Sequence, residues 1–270
     1  MGGRSPPNFA SFPMNFPLPS FGVEELQILS WNGGGICLSN GADRVTMGIH
    51  LKRLSKAAHI LCLQEVHGEE GDTFHQLSNW LPGWKILVSC SLRSDGTFNG
   101  GAGGVAIAIC PLLNNLAICN PQCVVPGRCL GTPICLGDKA LTVCNVHNYG
   151  LSFADTRSIK DFLFVLGSGI EVDPTRRIGI LIGDLNIKAE HEKSFKIGVA
   201  QFPNSSRPPP DRGFSNPVFS GQRLAVWRQI LSTWTEISQP MPTHFDISSK
   251  ACSRIDRCWI FGPSNLLIKM

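Results

Sequence analysis

Five apolar segments of the sequence end at, or open on, polar residues suited to metal or phosphate chemistry. Leu26–Trp31 runs into Asn32, and Ile60–Leu63 into Gln64 and Glu65. Leu141–Cys144 continues as Asn145-Val146-His147-Asn148, and Ile178–Ile182 ends in Gly183-Asp184-Leu185-Asn186. The last segment opens with Ser253-Arg254-Ile255-Asp256-Arg257. Carboxylates, amides and an imidazole gathered at one mouth would make an oxygen-rich set. Mg²⁺ prefers such ligands and keeps several waters, and the same groups can aim a water at a phosphodiester. Strand periodicity would turn Asp184 and Asn186 to one side and Leu185 to the core.

Each segment alone has a plainer explanation. Gly-Asp-x-Asn is also a turn sequence. Glu65 could be a surface carboxylate, Asn32 before Gly33-Gly34-Gly35 a turn residue, and His147 a hydrogen-bonded core histidine. Asp256 could belong to a surface ion-pair cluster with Arg254 and Arg257. The joint occurrence, in this order and at strand edges, is what argues for a site.

The elements that must position these residues follow from periodicity. Strands are expected at Leu26–Trp31, His59–Gln64, Trp84–Cys90, Gly104–Cys110, Leu141–His147, Ile178–Gly183 and Ile255–Phe261, with strand-like pieces across Leu116–Leu136. Helices are expected at Arg44–Ala58, Thr73–Leu81, Asp155–Leu166 and Gln222–Ile237. The first would place apolar Val45, Ile49, Leu54 and Ala57 on or near one face. In the last, Leu224, Trp227, Ile230, Leu231 and Trp234 form an apolar face. Several strands in a row mid-chain do not fit a doubly wound sheet. Two stacked, mainly antiparallel or mixed sheets flanked by helices, a four-layer α-β-β-α sandwich of the α/β (α+β) class, fit better.

Residues 1–24 are rich in Pro, Phe, Ser and Gly and read as a disordered leader; residues 25–270 read as one domain. The net charge of +4 permits a polyanionic partner without arguing for one. The eleven cysteines include no paired CxxC of a zinc site, and no secretory signal precedes them. Reduced thiols in a cytoplasmic or nuclear, non-secreted protein are the expectation. No apolar run is long enough to span a membrane. Gly100-Gly101-Ala102-Gly103-Gly104 precedes a strand instead of a helix, so it reads as a turn near the site and not as a dinucleotide loop.

The ordered series Trp31-Asn32, Gln64-Glu65, Asn145-Val146-His147, Gly183-Asp184-Leu185-Asn186, Thr243-His244-Phe245 and Ser253-Arg254-Ile255-Asp256-Arg257 resembles the motifs of the endonuclease/exonuclease/phosphatase superfamily. The last two look most like the apurinic-endonuclease-like branch of LINE-type (non-LTR) retrotransposons. The resemblance spans about residues 25–262. It implies a DNA endonuclease that hydrolyses a phosphodiester with Mg²⁺, or Mn²⁺, as cofactor. By it, Glu65 and Asn32 would hold the metal and Asp184 would orient or deprotonate the attacking water. Asn186 would hydrogen-bond the scissile phosphate. His147 would contact the phosphate or assist the leaving group, and Asp256 would orient a later histidine. Asn148, Thr243 and Ser253 would meet the substrate or brace the DNA backbone.

DNA is the partner the resemblance implies, with a reverse transcriptase domain encoded downstream and a monomeric state. The family's final Ser-Asp-His motif does not follow Asp256 in this sequence. The expectation is therefore a domain incomplete at its C-terminus, lacking its final strand, with activity reduced or lost. A phosphatase or RNA nuclease of the same superfamily, and an inactive nucleic-acid-binding remnant, stay open as alternatives.

Overall fold

A computed structural model describes residues 26–37, 42–93, 95–100, 103–113, 121–136, 139–165, 177–186, 195–196, 225–237, 244–246, 251–253 and 256–262. The leader at 1–24, the loop at 203–217 and Thr243 lie outside these residues. The first strands and helices are β1 (Ile28–Asn32), α1 (Ala42–Leu54), β2 (Ile60–Gln64), α2 (Glu70–Trp80), β3 (Lys85–Ser89) and β4 (Val105–Ile109). Next come β5 (Gln122–Val125), β6 (Cys129–Leu136), β7 (Lys139–His147), α3 (Phe153–Val165) and β8 (Arg177–Asp184). The remainder is β9 (Phe195–Lys196), a short helix α4 at 225–230, β10 (Thr235–Ile237), β11 (His244–Asp246), β12 (Ala251–Ser253) and β13 (Asp256–Phe261).

One sheet has the order β1-β2-β4-β3, and a second has β10-β13-β8-β7-β6-β5. A small third sheet, β11-β12-β9, was not expected from the sequence. The mixed sheets come from parallel β1/β2 and β7/β8 pairs inside otherwise antiparallel neighbours. Period-two alternation divides the apolar residues into layers. Ile28, Ile60, Ile107, Val143, Ile180, Ile182 and Cys258 meet between the sheets. Leu61 and Leu63 turn outward onto Leu51 of α1 and Leu77 of α2. Val146, Leu181 and Trp259 turn outward onto Ile159 of α3 and onto Trp227. The arrangement is the expected four-layer sandwich.

Two helix expectations need correction. Val45 and Ile49 are 63% and 47% exposed, while Leu51 is fully buried. The buried face of α1 is instead centred on Gly48 and Leu51. A Cβ on Gly48 would stand 2.6 Å from the indole nitrogen of Trp80, so α1 and α2 meet where no side chain intervenes. The expected helix to Ile237 stops at residue 230. Leu231 and Trp234 keep helical spacing through a turn, but Thr235–Ile237 is captured as β10 by the edge of β13. An open strand edge supplies backbone partners that a continued helix would leave unpaired.

A polar lock joins the two large sheets. The Asn145 amide on β7 donates to the carbonyls of Leu63 and Ala106 at 2.8 and 2.9 Å and accepts from Gln64 at 2.6 Å. All three polar residues of this cluster, Ser30, Gln64 and Asn145, are buried and mutually bonded. Gln64 and Asn145 thus set the spacing of the sheets just behind the residues that follow them.

Candidate active site

Both parallel pairs end at the same mouth of the sandwich. Asn32 is registered against Gln64 at the end of β1/β2, and His147 against Asp184 at the end of β7/β8. β13 starts there, with Asp256 opposite Asp184. Close backbone approach makes this possible. A Cβ on Gly183 would lie 2.0 Å from the Val146 carbonyl oxygen, and its φ of +146° is one that side-chain-bearing residues rarely adopt. The loop after β1 is laced to the loop after β2: Gly35 and Ile36 donate to the Glu65 carbonyl at 2.8 and 3.3 Å.

Among the described residues, the non-glycine positions with positive φ are Glu65, His67 and Asn186, at +52°, +48° and +48°. Each such conformation costs about 1–3 kcal/mol and persists only where its surroundings enforce it. All three flank the same mouth.

The Asp184 carboxylate is 2% exposed. It accepts from the Asn32 amide at 2.8 Å and from the Asn186 backbone N–H at 2.9 Å. Burial pushes its carboxyl above the usual aspartate range, against the pull of His147 and these donors. His147 is 1% exposed, and its Nε2 stands 3.2 Å from Glu65 Oε1. That contact, ahead of the opposing effect of burial, holds the Glu65 carboxyl below its usual value. The ligand atoms of Glu65, His147 and Asp184 lie within 4.8 Å of one another. Two carboxylates so close, one of them buried and raised, fit a divalent cation as a charge partner.

Sequence reasoning missed three residues here: Arg128, His67 and Tyr149. Arg128, in the turn between β5 and β6, places its guanidinium 3.0 Å from His147 Nδ1. A guanidinium only donates, so Nδ1 accepts and the imidazole proton belongs on Nε2, facing Glu65. Room for Arg128 comes from Gly103, where a Cβ would approach its guanidinium to 2.4 Å. The glycines before β4 therefore allow close packing at the site. His67 Nε2 stands 3.9 Å from Glu65 Oε2. Tyr149 lies parallel to His147, with 6.0 Å between ring centroids. No sequence pattern marks a lone arginine in a hairpin turn.

The remaining predicted residues divide. Asn32, Glu65, His147 and Asp184 come together. Asn186 sits beside them, exposed, but its left-handed backbone ends the strand period on which its expected orientation rested. Asn148 is buried, its amide donating to the Leu185 carbonyl at 2.6 Å. Asp256 is placed at the mouth by backbone register alone, and Ser253 lies on β12 opposite His244.

The sequence profile of the Endonuclease/Exonuclease/phosphatase family matches residues 29–265, and the chain belongs to that family. No curated protein sequence matches the chain significantly. Among solved structures it resembles the AP endonuclease LMAP from Leishmania major, with 15% identity, a TM-score of 0.60, and 88% of this chain and 78% of that one covered. It also resembles the endonuclease domain of TRAS1, a telomere-specific non-LTR retrotransposon, at 15% identity and a TM-score of 0.51, covering 86% of this chain and 82% of that one. A humanized D. rerio TDP2 is similar at 12% identity and a TM-score of 0.51, with 89% and 84% covered. At such identities the likeness is one of fold.

Proposed function

We propose that the chain is a divalent-metal-dependent phosphodiesterase that nicks DNA, an endonuclease of retrotransposon type. The observation that carries this reading is the convergence of Glu65, His147 and Asp184 within 4.8 Å at the mouth of the sandwich. Glu65 and Asn32 would hold Mg²⁺ or Mn²⁺, which when bound supplies a positive charge to offset that of the phosphate. Asp184 takes a proton from the attacking water, and its raised carboxyl makes it a stronger base than an exposed aspartate. Asn32 and the Asn186 backbone hold that carboxylate still. His147 would turn its Nε2 proton to the phosphate or the leaving group, and the Asn186 side chain would hydrogen-bond the phosphate. Asn148 braces the loop after β8. Thr243 and Ser253 would brace the site or the DNA backbone, and Asp256 would orient a later histidine. A reverse transcriptase encoded downstream would use the nick.

Supercoiled-plasmid nicking with Mg²⁺ tests this, for the chain as given and for a version extended through a Ser-Asp-His segment. Glu65→Ala and Asp184→Ala should each lower nicking by about 10²–10⁴-fold. Mg²⁺ at about a hundred times its Kd should stabilise the wild type by about 2.7 kcal/mol, and the Glu65→Ala protein by less. Nicking that survives both alanines sinks the reading. Turnover of a small phosphoester or of RNA without DNA nicking would transfer the substrate to the superfamily alternatives. Salt-sensitive DNA binding without turnover would mark a binding remnant.

A further inference from the structure

Tyr149 is the only tyrosine of the chain, and it stands 60% exposed at the mouth that holds Glu65, His147 and Asp184. Isolated exposed aromatics are common and need no explanation. This ring is different in being held from below. It lies within 11° of parallel to the buried His147 imidazole, and the Arg128 guanidinium carbon sits 5.6 Å from its centroid. An aromatic ring and a cation thus fix its orientation while most of its surface faces solvent.

The following segment is also pinned. Ser152 donates from its backbone N–H and its hydroxyl to Asp155 at 2.8 Å, and its hydroxyl accepts from the Asp155 N–H at 3.2 Å. This reciprocal cap starts α3 and sets Phe153, which is 72% exposed, close beyond Tyr149 in the chain. Two exposed aromatic residues, Tyr149 and Phe153, therefore follow the buried His147 in the chain.

We infer that Tyr149 is a stacking platform for a nucleobase next to the scissile phosphate, so that the site takes single-stranded or locally unpaired nucleic acid in preference to continuous duplex. The inference rests on the phosphodiesterase reading for its placement of the phosphate. A base inside a duplex already has both faces covered by its neighbours. An unpaired base offers a free face, and an aromatic side chain accepts any base because every base has one. Arg128 adds a cation 5.6 Å from the ring centroid, while the ring stays 60% exposed.

A thermodynamic cycle decides the matter. Anisotropy would report binding of the full chain, in Ca²⁺, to a labelled twelve-nucleotide oligothymidine and to an abasic strand with the same phosphates. Both strands are compared with the wild type, Tyr149→Ala and Tyr149→Phe. Tyr149→Ala should weaken oligothymidine binding about five- to a hundredfold, the loss of one stacked base. Tyr149→Phe should keep wild-type affinity, and the alanine penalty should shrink on the abasic strand, since ring and base form one interaction. Equal penalties on the two strands, no penalty on either, or tighter wild-type binding to duplex than to the single strand would each overturn the inference. Plasmid nicking by the wild type, and its loss in Glu65→Ala, judges the phosphodiesterase reading separately. A wild type that binds the oligonucleotide through Tyr149 but hydrolyses nothing would sink only that reading.

Discussion

Arg128 decides which nitrogen of His147 carries the proton, because a guanidinium at 3.0 Å from Nδ1 has only hydrogens to offer. Removing a partner that orients such a ring commonly costs about 10–100-fold in activity. Arg128→Ala should lower the turnover of a small phosphodiester by that order. Arg128→Lys should not restore it, since an ammonium lacks the planar fork. The two carboxylates pull acid stability in opposite directions. Glu65 has a lowered carboxyl, so its contribution is present above 4.5 and is lost as pH falls through the lower folded value. Asp184 has a raised carboxyl, so its contribution is present below 3.8 and is lost as pH rises through the higher folded value. In metal-free protein, Glu65→Gln should therefore lose less stability between pH 7 and pH 4 than wild type, and Asp184→Asn more, by urea melts. The same sign for both substitutions would contradict these assignments.

The strands place the site through contacts too close for ordinary side chains. Gly183 lets β8 approach the Val146 carbonyl on β7, which sets His147 and Asp184 abreast. Gly183→Ala should destabilise by about 1–3 kcal/mol through its backbone alone. It should also lower catalysis further than stability accounts for, seen as reduced kcat under conditions where the protein remains folded. Between the sheets, Asn145 satisfies two carbonyls and the Gln64 amide. Asn145→Leu strands all of them in a buried layer, and each orphaned group costs about 1–3 kcal/mol. A clear drop in the urea midpoint, with an unchanged slope, is the expected result.

Over the whole molecule, the net charge of +4 is small for a protein expected to meet a polyanion. Contacts to six to ten phosphates would cost roughly 10³–10⁵-fold in affinity between 50 and 200 mM salt. This chain should lose less than about a thousandfold over that interval, with stacking supplying part of the remaining affinity. A steeper fall would show a concentrated basic face. Among the described side chains, nine of the chain's eleven cysteines are free thiols. Most are buried in the apolar layers, with burial raising Cys62, Cys129 and Cys144. No helix among the described residues is long and apolar enough to cross a membrane.

Local periodicity was enough to read most strands, the sandwich class and the order of the motifs, because alternation and strand-end polarity are properties of neighbouring residues. It put Asn32, Glu65, His147 and Asp184 at strand ends, each directly following or closing an apolar run. It failed where a distant partner decides. The buried face of α1 depended on Trp80, the end of the last helix on the free edge of β13, and the role of Gly183 on the Val146 carbonyl. Arg128 and Tyr149 carried no signal in the sequence, since both sit outside strands and helices and gain their meaning only from His147. The sequence by itself determined which polar groups close the apolar strands. Tertiary structure alone decided that two parallel strand pairs end at one mouth, that Asp184 is buried there, and that an arginine and a tyrosine flank its histidine.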